Sequence, residues 1–303
     1  MLAAGSVLLA LALDTLLAEP PTRLHPVAWF GHLVAPVDRE WRAPRLVGGL
    51  VALALPLLAG GVTYWTVALA DRGSPLTGAL AAGLVLFATT SRRMLLDAAR
   101  EVVAGSATDL PDARRSLLAL AGRDATDLSP GQVRSAAVES AAENLADGLV
   151  APLLAFCLLA PVSLPLGAAA AAWVKAVNTL DSMLGYRSKP VGTASARLDD
   201  VVMWLPARAS ALLLALAAGS GRSVRAASAW LDGVPSPNSG WPMGTLAAAT
   251  GVRLEKPGVY TLNPDAPLPE REPAERGLRV VSLASLLAFA LGAAWLALAE
   301  VVG

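Results

Sequence analysis

In the stretch VESAAENLADGL, residues 138–149, three acids recur every four residues: Glu139, Glu143 and Asp147. On a regular helix they fall within about 80° of one another. Ser140 and Asn144 flank the same side, and Ala141, Ala142, Leu145 and Leu149 take the other. Like charges at this spacing cost a few tenths of a kcal/mol per pair. No Lys or Arg stands between Ser135 and Val174 to offset them. A solvated helix face would explain the row. A divalent-cation or substrate site would explain it too, because a hard cation such as Mg²⁺ takes one or two carboxylates plus phosphate oxygens. Spacing alone leaves both readings open.

A second group lies in KAVNTLDSMLGY, residues 175–186. In a helix Lys175, Asn178, Thr179, Ser182 and Tyr186 share an arc of about 100°, with Asp181 at its edge and Trp173, Val177, Leu180 and Leu184 on the apolar face. An interfacial amphipathic helix normally carries several Lys or Arg. This one has a single Lys among amide, hydroxyl and carboxylate groups, the donors and acceptors of a phosphate-handling site. In SARLDDVVMWLPAR, Asp199 and Asp200 precede an apolar run, where acids also suit a helix N-terminus; Arg197 and Arg208 flank them and can grip a carboxylate or phosphate bidentately. Asp14 lies inside an apolar segment, where a carboxylate costs about 2.5–3.5 kcal/mol and needs a partner such as Arg23 or His25. PNSGWPMG reads as a rigid turn carrying Asn238 and Trp241.

The elements that must hold these groups are membrane helices. The 303 residues are 55% hydrophobic and 16% charged, against about 25% charged in ordinary soluble domains, and the excess comes in long Ala, Leu, Val and Gly runs. Residues 46–70 form the clearest span, uncharged and long enough for a core of roughly 30 Å. Residues 76–90 return, 149–174 are broken by Pro161 and Pro165 into one kinked span or two half-helices, 201–219 are a further candidate, and 280–302 close the chain. The N-terminal apolar run lacks a basic start and reads as a retained first segment rather than a cleaved signal. Residues 92–147 read as amphipathic helices and 221–279 as loop with short helices. The arginines of residues 23–45 and 92–134 belong on one side by the positive-inside rule. Residues 175–200 join them only if 149–174 enter and return.

The balance of 24 basic and 24 acidic residues gives no reason to expect a nucleic-acid partner. The single Cys157 excludes an internal disulfide, and two histidines make a histidine-rich metal site improbable. There is no Gly-rich nucleotide loop and no Ser-His-Asp or Cys-His pattern.

The blocks LALDTLLAEPP with HPV, AREVVAG, GRDATDLSPGQVRSAAVESAAENLADGLVAPL, KAVNTLDSMLGY, ASARLDDVVMWLPAR and NSGWPMGTLAAATGVRLEKPGVY resemble the CobD/CbiB family of cobalamin biosynthesis, the adenosylcobinamide-phosphate synthases. The resemblance covers nearly the whole chain and is most specific over residues 122–208. It implies a single all-α, multi-pass domain of the inner cell membrane, with about five membrane segments. It also implies ATP-dependent joining of (R)-1-amino-2-propanol phosphate, or the free aminopropanol, to the last free propionate carboxyl of adenosylcobyric acid, giving adenosylcobinamide phosphate. Under that chemistry Glu139, Glu143 and Asp147 hold Mg²⁺, joined by Asp199 and Asp200, and Asn144 is a neutral ligand or substrate contact. Lys175 and Arg197 face phosphates. Asn178 and Asp181 orient the amine or supply a base, and Ser182, Asn238 and Trp241 contact the bound cofactor or substrate.

Two features depart from the family pattern. YRSKPVGTASARLDD is shorter than usual and lacks a Trp, so residues 187–193 are left out of the site, and AEPP stands where many relatives read GDPP. The alternative is a non-enzymatic membrane anchor or sensory subunit that recruits other cobalamin-assembly enzymes. The missing nucleotide motif favours that alternative, and the retention of all the polar blocks opposes it.

Overall fold

The computed structural model describes every residue except Arg123, Arg187 and Gly303. In chain order the helices are α1 (Leu2–Leu17), α2 (Pro26–Val34), α3 (Pro44–Gly73), α4 (Pro75–Thr89), α5 (Arg93–Gly105), α6 (Leu110–Ala121) and α7 (Pro130–Leu145). A π-helical segment (Ala146–Val150) leads into α8 (Ala151–Leu159) and α9 (Leu164–Leu184). Then come α10 (Thr193–Val202), α11 (Trp204–Ala217), α12 (Arg222–Ala227), α13 (Gly240–Thr250), the strands β1 (Leu254–Lys256) and β2 (Tyr260–Leu262), and α14 (Arg271–Val302). Among the described residues the protein is all-α apart from that one hairpin. The chain divides into two compact units: Met1–Ser91, Asp147–Met203 and Phe289–Gly303 form the first, and Arg92–Ala146 and Trp204–Ala288 the second.

Among the described residues four helices are long and apolar enough to cross a membrane: Pro44–Gly73, Pro75–Gly105, Pro130–Leu159 and Arg271–Val302. A fifth is added if the bent pair Pro190–Val202 and Trp204–Ala217 counts as one span. This is a membrane protein. α1 is apolar but short.

Small residues set the packing of the first unit. Gly83 lets α4 approach α1 so closely that a Cβ there would press on Leu9 and on the Ser6 carbonyl. Ser6 Oγ donates to the Ala79 carbonyl (2.8 Å). Ser6 with Ala79 and Leu9 with Gly83 make the two helices parallel. α3 and α9 run antiparallel: Gly60 meets Ala169 and Trp173, while Val51 and Leu55 pack on Leu180 and Leu184. A Cβ on Gly48 would strike the Val191 carbonyl, so the segment after α9 sits directly on the α3 backbone.

These contacts settle the fate of residues 149–174. α8 and α9 pack on each other as a hairpin. The hairpin starts level with the end of α4, where Ser91 N–H donates to the Gly148 carbonyl (2.8 Å), and α9 returns towards the Pro44 end of α3. Residues 175–200 therefore lie on the same side as residues 19–45 and Ser91. Glu300 Oε1 accepts the Ala3 N–H (2.9 Å), which places the end of α14 on the opposite side, beside the start of α1.

In the second unit, α7 opens with a capping box between Ser129 and Gln132, and α6 ends at Gly122 in the left-handed region (φ 60°), as its Gly stop predicts. Residues 221–279 carry more structure than their Pro and Gly content suggests. PNSGWPMG is not a free turn. From Gly240 it is the first turn of α13, where Pro242 is tolerated because those N–H groups lack helical partners. Small Gly, Ala and Thr side chains then let α13 be buried almost all round.

Candidate functional sites

α7 is not a solvated face. Every residue from Ser135 to Ala142 is buried, and Glu139 is 1% exposed. Two hydroxyls donate to its carboxylate. Ser135 Oγ donates to Oε1 (2.7 Å) and Tyr260 Oη to Oε2 (2.7 Å). Ser135 Oγ in turn accepts the Glu255 N–H (2.8 Å), and Gln132 Nε2 donates to Glu255 Oε1 (3.0 Å). Glu139 thus docks the β1–β2 hairpin, in which Lys256 pairs with Tyr260, against α7.

One turn on, Glu143 and Asn144 reach a polar cavity of about 250 Å³, shared with Ser140, Ser236, Ser239, Lys256 and Tyr260. Asn144 Nδ2 donates to the Ser140 carbonyl (3.0 Å), which leaves its carbonyl oxygen as an acceptor. The cavity offers one acid, one base and several neutral groups. Lys256 and Tyr260 had a sequence signal, since both lie in the quoted EKPGVY block, but nothing local ties them to α7.

Glu139 and Glu143 lie on α7, and Asp147 is the second residue of the π segment Ala146–Val150, whose turn is wider than that of a regular helix. Asp147 belongs to the first unit. The missing base is there: Lys175, one residue beyond the base-free stretch, interacts through its charge with Asp147 and with Glu19.

Glu19 sits just past α1 and His25 just before α2. His25 Nδ1 accepts the Val27 N–H (3.2 Å) and so caps α2. The ring proton is thereby left on Nε2, which faces Glu19 Oε2 at 3.7 Å. Burial holds the imidazole below its usual pKa; Glu19 opposes this and Lys175 adds to it. His25 thus pairs with Glu19. Lys175 is held among carboxylates, not set out as an open phosphate ligand. Glu19 and His25 are missing from the sequence-derived site although the AEPP and HPV motifs contain them.

On α9 and α10, which pack together, Asp181 and Asp200 interact through their charges. Asp181 Oδ1 is buried with no hydrogen-bond partner, and a Cβ on Gly185 would strike it. Asn178, Asp199 and Asp200 are half-buried and Arg197 is exposed. Ser182 Oγ is turned back to the Asn178 carbonyl (2.9 Å). Among the described residues no three His, Cys, Asp or Glu side chains group as a metal cage. Mg²⁺ needs no such cage when substrate phosphates complete its shell, and the open Asp181 oxygen beside Asp200 suits it. In the shortened segment, Lys189 pairs with Asp38 (2.7 Å); Arg187 lies outside the described residues.

Asn238 and Trp241 serve a different contact. Asn238 is buried, and its Oδ1 accepts from Arg208 Nη1 (2.7 Å). The guanidinium lies over the Trp204 and Trp241 rings, at 4.6 and 5.1 Å, and also reaches the Trp204 carbonyl (2.9 Å). Arg208 is therefore engaged within the protein rather than extended as a two-pronged anion grip.

Residues 7–288 match the family model described as CobD/Cbib protein. The chain is 36% identical to the "Probable cobalamin biosynthesis protein CobD" of Methanothrix thermoacetophila, with 95% of each chain covered. It is 40% identical to the "Cobalamin biosynthesis protein CobD" of Klebsiella pneumoniae, with 82% of this chain and 81% of the relative covered. It is 38% identical to the "Cobalamin biosynthesis protein CbiB" of Salmonella typhimurium, with 83% and 82% covered. No solved structure matches this chain.

Proposed function

The chain belongs to the CobD/CbiB family and has a role in cobalamin biosynthesis, and from that premise we propose that it is an inner-membrane acid–amine ligase acting on a corrinoid. Its substrates on this reading are adenosylcobyric acid, an aminopropanol phosphate and ATP, and its product is adenosylcobinamide phosphate. The observation that carries the reading is the polar cavity of the second unit. At about 30 Å³ per water-sized group, its 250 Å³ suits an aminopropanol phosphate, and its lining includes the carboxylate of Glu143 and the ammonium of Lys256. A small molecule with a cation at one end and a phosphate at the other fits that polarity.

A carboxylate is a poor acyl donor. ATP supplies a phosphoryl group that turns the propionate into an acyl phosphate. The amine nitrogen then attacks the acyl carbon, a C–N bond forms, the C–O bond breaks, and phosphate leaves. The ammonium must first lose a proton, and Glu143 is the carboxylate placed to orient it and accept that proton. Lys256, Ser236 and Ser239 hold the substrate phosphate. This assigns the amine to Glu143 and Asn144 rather than to Asn178 and Asp181.

In the first unit Asp181, Asp199 and Asp200 are the groups to hold Mg²⁺, which would supply charge neutralisation at the nucleotide phosphates. Glu139 is then a support for the cavity wall and not a ligand, because both its oxygens carry hydrogen bonds.

The test is reconstitution in detergent with adenosylcobyric acid, aminopropanol phosphate, Mg²⁺ and ATP, followed by mass spectrometry. Amide and ADP should appear together with the wild-type protein. Glu143→Gln should lower turnover, and Lys256→Met should raise KM for the phosphorylated amine more than for free aminopropanol. No amide from the purified protein, or wild-type kinetics in both variants, would overturn the proposal.

A further inference from the structure

A second cavity, of about 440 Å³, lies wholly within the first unit among α2, α3, α4 and α9. Its walls are apolar: Phe30, Leu55, Ala59, Val85, Ala172 and Ala176, with scattered threonine hydroxyls. Among the described residues Lys175 is its one charged lining residue, and it interacts through its charge with Glu19 and Asp147. The polar chemistry proposed above does not use the cavity.

Its rim faces outward. Trp29, Leu33, Leu58 and Val62 line it and are each more than half exposed. Leu58 and Val62 belong to α3, the most apolar and least covered of the long spans apart from α14, which has similar hydropathy. What meets the outer face of such a helix is lipid, not water. At the same rim Trp29 Nε1 donates to the Arg23 carbonyl (3.0 Å). This fixes the indole and holds exposed Arg23 beside it, the Trp and Arg pairing that marks a membrane–water boundary.

We propose that this cavity is a lipid-binding site: it takes one acyl chain of a membrane phospholipid between α3 and α9, with the lipid phosphate at Arg23. At about 30 Å³ per water-sized group the volume holds roughly fifteen of them, which is the scale of a single fatty chain. An apolar void open to the bilayer loses contacts on every wall if it stays empty, and a chain from the adjacent leaflet restores them. The bound lipid would be a structural ligand of the hairpin that carries Lys175.

The experiment uses the full chain in vesicles containing phosphatidylglycerol with a diazirine on one acyl chain. After photolysis, cross-linked peptides are mapped by mass spectrometry. Lipid lying on the outside reaches Leu50, Leu53 and Leu57. Only a chain inside the cavity reaches Thr89 and Ala176, which are 7% and 4% exposed. Labelling of Thr89 and Ala176 is expected in the wild-type protein. It should be lost in Ala59→Trp, with labelling of Leu50 and Leu53 unchanged as the sign of an intact fold. Ala172→Phe fills the same space from α9 and should do the same. Arg23→Gln should weaken the inner labelling without abolishing it. Labelling confined to the outer positions in the wild type, or inner labelling that survives both filling variants, would overturn the site. Neither result depends on ligase activity.

Discussion

At the scale of single residues, Glu139 shows how hydroxyl donors help to hold a buried carboxylate. Removing one of its hydroxyl donors loses a buried hydrogen bond to a charged group, worth about 1.5–3 kcal/mol. Tyr260→Phe should therefore lower unfolding stability by that amount in detergent, by denaturant titration, while Tyr64→Phe should not. Glu143→Gln should cost about 10²–10⁴-fold in turnover if it acts as the base, with little change in stability because it lines an open cavity. His25 predicts a pH effect. Its pKa is lowered by burial, so the native ring stays neutral while the unfolded ring takes up a proton near pH 6.5. The stabilisation is complete above that value and is lost as pH falls through the lower native pKa. Melting followed from pH 8 to pH 5 should show this loss, and His25→Gln should flatten that part of the curve. Glu139, Glu143 and Asn144 were legible as candidates from spacing. Tyr260, which stands 121 residues from Glu139, was not.

At the scale of elements, the first unit depends on helices and loops that meet backbone to backbone. Gly48 and Gly49 make a paired test. A Cβ on Gly48 would strike the Val191 carbonyl, whereas one on Gly49 would meet nothing within 4 Å. Gly48→Ala should destabilise by about 1–3 kcal/mol, the range for overpacking against a wall that cannot retreat. Gly49→Ala should stabilise by roughly 0.5–1 kcal/mol, because helical Gly is entropically costly. Thermal unfolding of the two variants side by side would check both signs. The π segment has a comparable local cause with a distant effect. Asp147 is the second of its five residues, so the pitch changes just ahead of it, and helix periodicity has no means of announcing that change.

At the scale of the whole molecule, the hairpin of α8 and α9 decides sidedness within the first unit. Residues 19–45, Ser91 and residues 175–200 share one face, and the turn between α3 and α4 lies on the other. Asp38→Cys and Ser188→Cys, both at exposed positions, should react with an impermeant thiol reagent from the same side of sealed vesicles. Arg72→Cys should react only from the opposite side. Labelling of Asp38→Cys and Ser188→Cys from opposite sides would refute the returning hairpin. The native Cys157 is buried and should stay silent. The positive-inside rule predicts that the side carrying Arg23, Arg39, Arg42 and Arg45 faces the cytoplasm.

What the sequence determined by itself was everything that repeats over a few residues. The long apolar runs mark the spans, and the polar blocks carry the family likeness. These follow from local physics: hydropathy over twenty residues and side-chain chemistry at a given spacing. Only the tertiary structure decided which polar groups meet. It joined Glu139 to Tyr260, gave Asp147 and Glu19 to Lys175, set Asp181 against Asp200, and turned Arg208 inward onto Asn238. Most buried charges and carbonyls must find partners, but nothing in a local pattern says which of many distant groups will serve. That choice is made by close packing of small residues such as Gly48, Gly60 and Gly83, and it is visible only once the helices are in contact.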